Sequence, residues 1–296
     1  MFDVEHLPNT YQNFFLVQLV EVLTLVISEK NALKRMGFES LKIFCEKIGV
    51  EQSKVKYFKE LGWFIINNFQ PNIPDESTYS GWYNGIDNVY QKQEQEKASE
   101  IVAILEANQR PEIRKRKKLN PKTPLEVDSA SFRVGHLLAH SILNYICFED
   151  GPDKNDFHRY NLFYETREAN EFTKKGFNQE VIPQRILEII IQNAIGEIDF
   201  SRDDGKGAPE KKRLRKFFKL LRSRQLISDK SYDYYHLPEN NKLIFYVKLI
   251  YGKSDDIIPS AINLQSKSDD NKLYFNVVIP NIEDTKFNFL NGQDIS

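Results

Sequence analysis

Three short pieces of this chain constrain its fold more than anything else in it: Gly135-His136-Leu137, Asn161, and Asn170 nine residues beyond it. Histidine directly after glycine, at the end of Phe132-Arg-Val-Gly-His136, reads as the close of a strand, and Asn161 reads as the opening of a helix that carries Asn170. That spacing puts one imidazole and one amide oxygen within reach of a single phosphate. A neutral imidazole accepts a proton near pH 7. An amide oxygen suits a hard cation that keeps most of its coordination sphere for water and phosphate.

Further pieces complete the pattern. Tyr160-Asn-Leu-Phe-Tyr-Glu-Thr-Arg-Glu-Ala-Asn170 follows a polar loop, and two strand-like runs close the chain, Tyr246 to Pro259 and Leu273 to Asn281. Together with Gly135-His136 they resemble the DNA/RNA non-specific endonuclease family, the ββα-metal nucleases. The family pattern is Arg-Gly-His, then Asn-Leu-x-x-Gln-Thr-x-x-x-Asn, then a glutamate and a terminal strand pair. The resemblance covers about residues 131–284 and is interrupted once.

The resemblance implies roles residue by residue. His136 is similar to the general base that activates water, and Asn170 to the side-chain ligand of a divalent cation, Mg²⁺ with Mn²⁺ as the alternative. Asn161 would fix the loop that positions the site, with Gly135 and Thr166 as supporting residues. Three departures stand out. The family arginine is Val134 here, with Arg133 one place too early, so a phosphate grip by Arg133 needs a shifted strand. The family glutamine is Glu165. The water-holding glutamate is best matched by Glu180, with Glu171 and Glu188 as alternatives. His140 reads as packing or as support behind the site, His158 as a phosphate contact, and His236 and His6 as surface residues.

The first 110 residues lie outside the resemblance. Thr10 to Ser28 has apolar residues at helical spacing on more than one face, which fits burial in its own domain or against a second copy. Leu41 to Gly62 reads as two short helices around Gly49, with Ser53 capping the second. An ordinary helical hairpin is the favoured reading. The alternative is a helix-turn-helix presenting Gln52, Lys54, Lys56 and Lys59 to DNA. Asn67 to Gly85 reads as a loop or boundary, and Tyr90 to Ala107 as a helix charged along one side.

Net charge says nothing about a partner, since 41 basic residues face 42 acidic ones. Its distribution does. One basic run spans Arg110 to Lys118 and includes Lys115 and Lys117. A second lies within the interruption 196–232, where residues 206–230 hold ten basic side chains against Glu210 and Asp229. Arg213, Arg215, Lys216, Lys219 and Arg222 belong to it, alternating with Phe217, Phe218, Leu220 and Leu221. An amphipathic basic helix of this kind reads as a duplex clamp, or as a solvated cap on the domain.

Cys45 and Cys147 are far apart in apolar surroundings and read as buried thiols rather than a disulfide. The start of the chain lacks the basic region of a signal peptide, and the apolar run Phe14 to Ile27 is interrupted by Gln18 and Glu21. The expectation is a cytoplasmic protein, with secretion by a signal-independent route as the alternative, and no membrane partner.

The expected fold is α+β. A helical region 1–110, regulatory or interactive, precedes a ββα-metal nuclease domain, 111–296, with a central antiparallel sheet and a basic helical insertion. The expected function is metal-dependent hydrolysis of phosphodiester bonds in DNA, and in RNA as a further substrate. An effector or toxin of this kind would be restrained by its N-terminal region or by a partner protein, or would work as a homo-oligomer. The competing class is a nuclease fold that has lost turnover and serves as a nucleic-acid-binding or scaffolding subunit.

Overall fold

A computed structural model describes residues 27–67, 82–86, 88–94, 97–107, 132–139, 142, 161–171, 182–196, 208–223, 235–282 and 289. Ten strands lie among them: β1 (Val55–Phe58), β2 (Trp63–Ile66), β3 (Tyr83–Ile86), β4 (Val89–Glu94), β5 (Lys97–Glu106), β6 (Phe132–His136), β7 (Leu162–Thr166), β8 (Lys242–Ile250), β9 (Ala261–Ser268) and β10 (Tyr274–Pro280). The helices are α1 (Glu29–Arg35), α2 (Leu41–Ile48), α3 (Arg167–Asn170), α4 (Arg185–Ala194) and α5 (Ala208–Ser223).

Eight strands form one antiparallel sheet in the order β1-β2-β10-β9-β8-β5-β4-β3, and β6 and β7 form a separate antiparallel pair. At its middle, β5 pairs with β8 from Glu100 opposite Lys248 to Glu106 opposite Lys242. Both faces of the large sheet are covered. Side chains alternate along a strand, so the neighbours Trp63 and Phe64 of β2 point to opposite faces. Phe64 is fully buried and meets Phe44 of α2 at 4.9 Å between ring centroids. Trp63 meets Phe217 of α5 at 6.0 Å, and its indole N–H donates to the Ile182 carbonyl just ahead of α4 at 2.6 Å.

Local chemistry explains where α2 starts and stops. The Ser40 hydroxyl accepts the Ile43 N–H at 3.3 Å, satisfying a donor that the first turn leaves open. Gly49 ends the helix with φ at 73°, a left-handed conformation that glycine adopts without steric cost.

Two expectations for the N-terminal region are overturned. The second helix placed after Gly49 is a single 3₁₀ turn, Gln52–Lys54, followed by strand β1, so neither a helical hairpin nor a helix-turn-helix forms there. Val89–Glu94 and Lys97–Glu106 are strands rather than a helix. In β5 the run Ala98 to Leu105 is buried throughout, because this strand lies inside the sheet and both its faces are covered. A strand buried on both faces shows no alternation, and its continuous apolar run is indistinguishable by periodicity from a buried helix.

The expected boundary at residue 110 is overturned with them. Strands from 55–106 flank the strands from 242–280 on both sides, so the N-terminal region supplies five strands of the sheet that also contains the C-terminal ones. Cutting there would open the sheet between β5 and β8 and between β2 and β10. The expected helix over 10–28 lies outside the described residues except at its last two positions, Ile27 and Ser28. Cys45 is buried and free, and Cys147 lies outside the described residues.

Candidate active site

The hairpin β6–β7 and the helix α3 that follows it make a strand, strand and helix unit, with α3 packed against both strands. The pairing is regular: Phe132 opposite Thr166, Arg133 opposite Glu165, Val134 opposite Tyr164, Gly135 opposite Phe163 and His136 opposite Leu162. Asn161 does not open a helix, as its sequence position had suggested. It directly precedes β7, and the turn of helix begins only after Thr166.

His136 closes β6 and is half-buried. The chain leaving it is clamped from the start of β7. The Leu137 N–H donates to the Asn161 carbonyl at 2.9 Å, the Leu138 N–H donates to Asn161 Oδ1 at 2.8 Å, and Asn161 Nδ2 donates to the Leu138 carbonyl at 3.0 Å. Asn161 is fully buried. An amide matches a backbone peptide group donor for acceptor, so Asn161 replaces the ladder that the strand pair would otherwise continue.

Thr166 ends β7 and starts α3. Its hydroxyl accepts the Ala169 N–H at 3.3 Å and donates to the Ile282 carbonyl at 3.0 Å. Its own N–H donates to Asn281 Oδ1 at 2.7 Å, while Asn281 Nδ2 reaches the carbonyls of Tyr164 at 3.1 Å and Pro259 at 2.8 Å. Asn281, fully buried just after β10, thereby ties the unit to the large sheet. Sequence reasoning assigned no role to this residue. The available signal was a polar side chain directly after an apolar strand.

Asn170 is the last residue of α3 and is half-buried. A neutral amide oxygen at a helix end can replace one water of a hard divalent cation and leave the rest of its shell to water and phosphate. Among the described residues no three His, Cys, Asp or Glu side chains come together as a metal-binding group.

The opposite face of the hairpin carries a buried carboxyl, that of Glu165. Side chains alternate, so Arg133, Gly135, Phe163 and Glu165 share a face, and His136 lies on the other with Val134 and Tyr164. The shifted strand that Arg133 needed to join His136 is absent. Arg133 instead approaches Glu171, Nε to Oε1 at 3.9 Å, and Glu171 also accepts from Arg167 at 3.1 Å. Glu165 is fully buried, and its Oε2 accepts from Gln184 Nε2 at 3.1 Å. Burial drives its pKa well above the usual carboxylate range, and the neighbouring Glu188 carboxylate adds to the rise. Glu188 on α4 is also raised by burial, an effect that its ion pair with Arg185 at 3.1 Å opposes. Glu188 is thus engaged in the core beside Glu165.

Helix α5 carries the basic insertion. Leu214, Phe217 and Phe218 are buried, and α5 packs on α4. Lys212, Arg215, Lys216 and Lys219 are exposed at three- and four-residue spacing, one cationic stripe along the outer face. Arg213 and Arg222 flank it half-buried, and Lys211 is buried. Glu180, His140, His158, His6, Lys115 and Lys117 lie outside the described residues. His236 is exposed, with Nδ1 at 3.1 Å from the Asn193 carbonyl. No described helix is long and apolar enough to cross a membrane.

No family model matches the chain. Among solved structures it superposes on the crystal structure of NucA from Streptococcus agalactiae with magnesium ion bound, with a TM-score of 0.53 at 17% identity over 86% of this chain and 94% of that one. NucA from the same organism with no metal bound aligns at a TM-score of 0.49 and 16% identity, over 86% of this chain and 95% of that one. Sda1 nuclease with bound zinc ion aligns at 0.37 and 11%, over 71% and 82%. At these identities the likeness is one of fold, and the first superposition carries it. The mixed architecture, with its large antiparallel sheet and separate ββα unit, is the ββα-metal nuclease fold that the motifs resemble.

Proposed function

We propose that this chain is a metal-dependent endonuclease hydrolysing phosphodiester bonds in DNA, with RNA as a second substrate. The observation that carries the reading is the ββα unit itself. A histidine closes the first strand, a buried asparagine clamps the backbone leaving it, and a second asparagine ends the following helix.

In this reading His136 Nε2 or Nδ1 takes the proton of the attacking water, which requires the neutral imidazole. Asn161 holds the Leu137–Leu138 backbone so that the imidazole keeps its direction. Asn170 would hold Mg²⁺, or Mn²⁺ in its place, and the ion would supply charge neutralisation at the phosphate. The Lys212, Arg215, Lys216 and Lys219 stripe contacts phosphates outside the scissile one, with Arg213 and Arg222 beside it and Lys115 and Lys117 as further contacts. Glu180 is the candidate for holding the metal-bound waters.

An active nuclease is lethal in the cytoplasm that makes it. Strands β1 to β5 belong to the same sheet as β8 to β10, so a detachable N-terminal domain is a poor restraint. An inhibitory partner protein or export fills that role, as expected of a toxin or defence effector.

The second reading, a binding subunit without turnover, is favoured by one observation: Val134 stands on the His136 face where the family has arginine, and Arg133 lies on the other face. Nicking of supercoiled plasmid with Mg²⁺, and its loss with chelator, separates the two. Duplex binding with no nicking at any Mg²⁺ or Mn²⁺ concentration would install the binding subunit instead.

A further inference from the structure

Behind the strand that ends in His136 lies a buried acid that the reaction outlined above does not use. The Glu165 carboxyl leans over Gly135, so closely that a Cβ built on Gly135 would collide with that carboxyl, with Glu165 Cβ and with the Phe163 ring. The absence of a side chain at 135 is what makes room for the acid.

The hydrogen-bonding supply around Glu165 is meagre. Gln184 Nε2 donates to Oε2, and Oε1 has no partner among the described residues although it is fully buried. A carboxylate has about four acceptor sites to fill, and leaving buried charge unsatisfied costs far more than leaving a neutral carboxyl so. The charged surroundings do not compensate. On α4 stands Glu188, whose charge is taken up by Arg185. Glu168 of α3 is another buried acid, and on β6 Arg133 reaches toward Glu171. The site is built for the neutral acid, which a glutamine would match in shape.

We propose that Glu165 is a positioning residue for His136: in its neutral form it wedges Gly135 and the end of β6 in place, and on ionising it releases them, setting an upper pH limit on the site. The elevated pKa described above agrees with this. Loss of the proton gives a carboxylate that draws water, and the backbone it lies against is Gly135, directly joined to His136. The imidazole then loses its direction without itself changing protonation state. The proposal rests on His136 acting as the base of a nuclease.

The test follows the His136 ring by NMR against pH in the full chain, with the resonance assigned from its disappearance in His136→Gln. The same titration is run on Glu165→Gln, and plasmid nicking with Mg²⁺ is measured over the same range. The wild-type ring should show its own inflection and a second one at higher pH, and Glu165→Gln only the first. Wild-type nicking should fall about tenfold per pH unit beyond the second inflection, as for a single ionisation. Glu165→Gln should hold its own neutral-pH rate over that range, without the alkaline fall. A wild-type ring with one inflection overturns the proposal, whether or not the variant folds, and so does an alkaline limb identical in the two proteins. A second inflection removed by Glu165→Gln, in a protein that never nicks DNA, sustains the coupling and overturns the nuclease reading instead.

Discussion

The Asn161 side chain makes both hydrogen bonds of a peptide group to the backbone of Leu138, accepting its N–H at 2.8 Å and donating to its carbonyl at 3.0 Å. The amide is fully buried, and no water can take over these bonds without opening the loop after His136. Asn161→Ala leaves a donor and an acceptor unmet and should lower stability by about 2–6 kcal/mol, at about 1–3 kcal/mol for each buried group. Urea unfolding checks the stability and plasmid nicking the consequence.

His136→Ala should reduce nicking by roughly 10²–10⁴-fold, the usual contribution of a positioned base. Added imidazole should restore part of the rate by supplying the missing acceptor. Asn170→Ala should instead shift the Mg²⁺ dependence to higher concentration, with part of the rate recovered at saturation. Identical responses of the two variants to Mg²⁺ and imidazole would remove the division of labour between them.

Gly135→Ala tests the close approach of Glu165. The added methyl meets the Glu165 side chain and the Phe163 ring, and overpacking of this kind costs about 1–3 kcal/mol. Combining it with Glu165→Ala, which vacates the space, should recover part of that loss. Thermal unfolding of the two single variants and the pair gives the coupling directly, and strict additivity would mean that the two residues do not touch in solution.

Stability should depend on pH through the same acid. Glu165 and Glu188 both have folded-state pKa values raised above the ordinary one, so the native state holds protons that the unfolded chain gives up. The sign is therefore a loss of stability as pH rises from the unfolded carboxylate value, about 4.3, until each group ionises in the native state. The urea midpoint should decline above about pH 5, and Glu165→Gln should flatten the decline. A midpoint that rises with pH in the parent and is unchanged in the variant would contradict the buried neutral acid.

On α5, the exposed stripe and the buried side make opposite predictions. Reversing Arg215, Lys216 and Lys219 to Glu should weaken duplex binding and flatten its salt dependence by about one unit of slope for each phosphate no longer neutralised, with little effect on unfolding. Phe217→Ala should do the reverse, costing about 3–5 kcal/mol through the cavity it leaves. An unchanged salt slope in the triple reversal would assign the stripe to solvent or to a protein partner.

The ββα unit was legible in the chain because its signals are local. Gly135-His136, Asn161 and Asn170 stand at separations set by one hairpin and one turn of helix, and the basic and apolar sides of α5 follow a helical period. Even there the order of elements misled, since Asn161 serves as a clamp ahead of a strand and not as a helix opening. Tertiary structure alone decided the rest. Nothing near Ile101 announces that β8, some 140 residues away, covers one edge of its strand and β4 the other. Burial on both faces erased the alternation that marks a strand, and an apolar run read as helix became part of the centre of the sheet. The same long-range pairing dissolved the boundary at residue 110. Packing against β6 and the start of α4 likewise turned Glu165, a departure from a family motif, into a buried acid against Gly135, because a carboxyl's protonation is set by what packs around it and not by its neighbours in sequence.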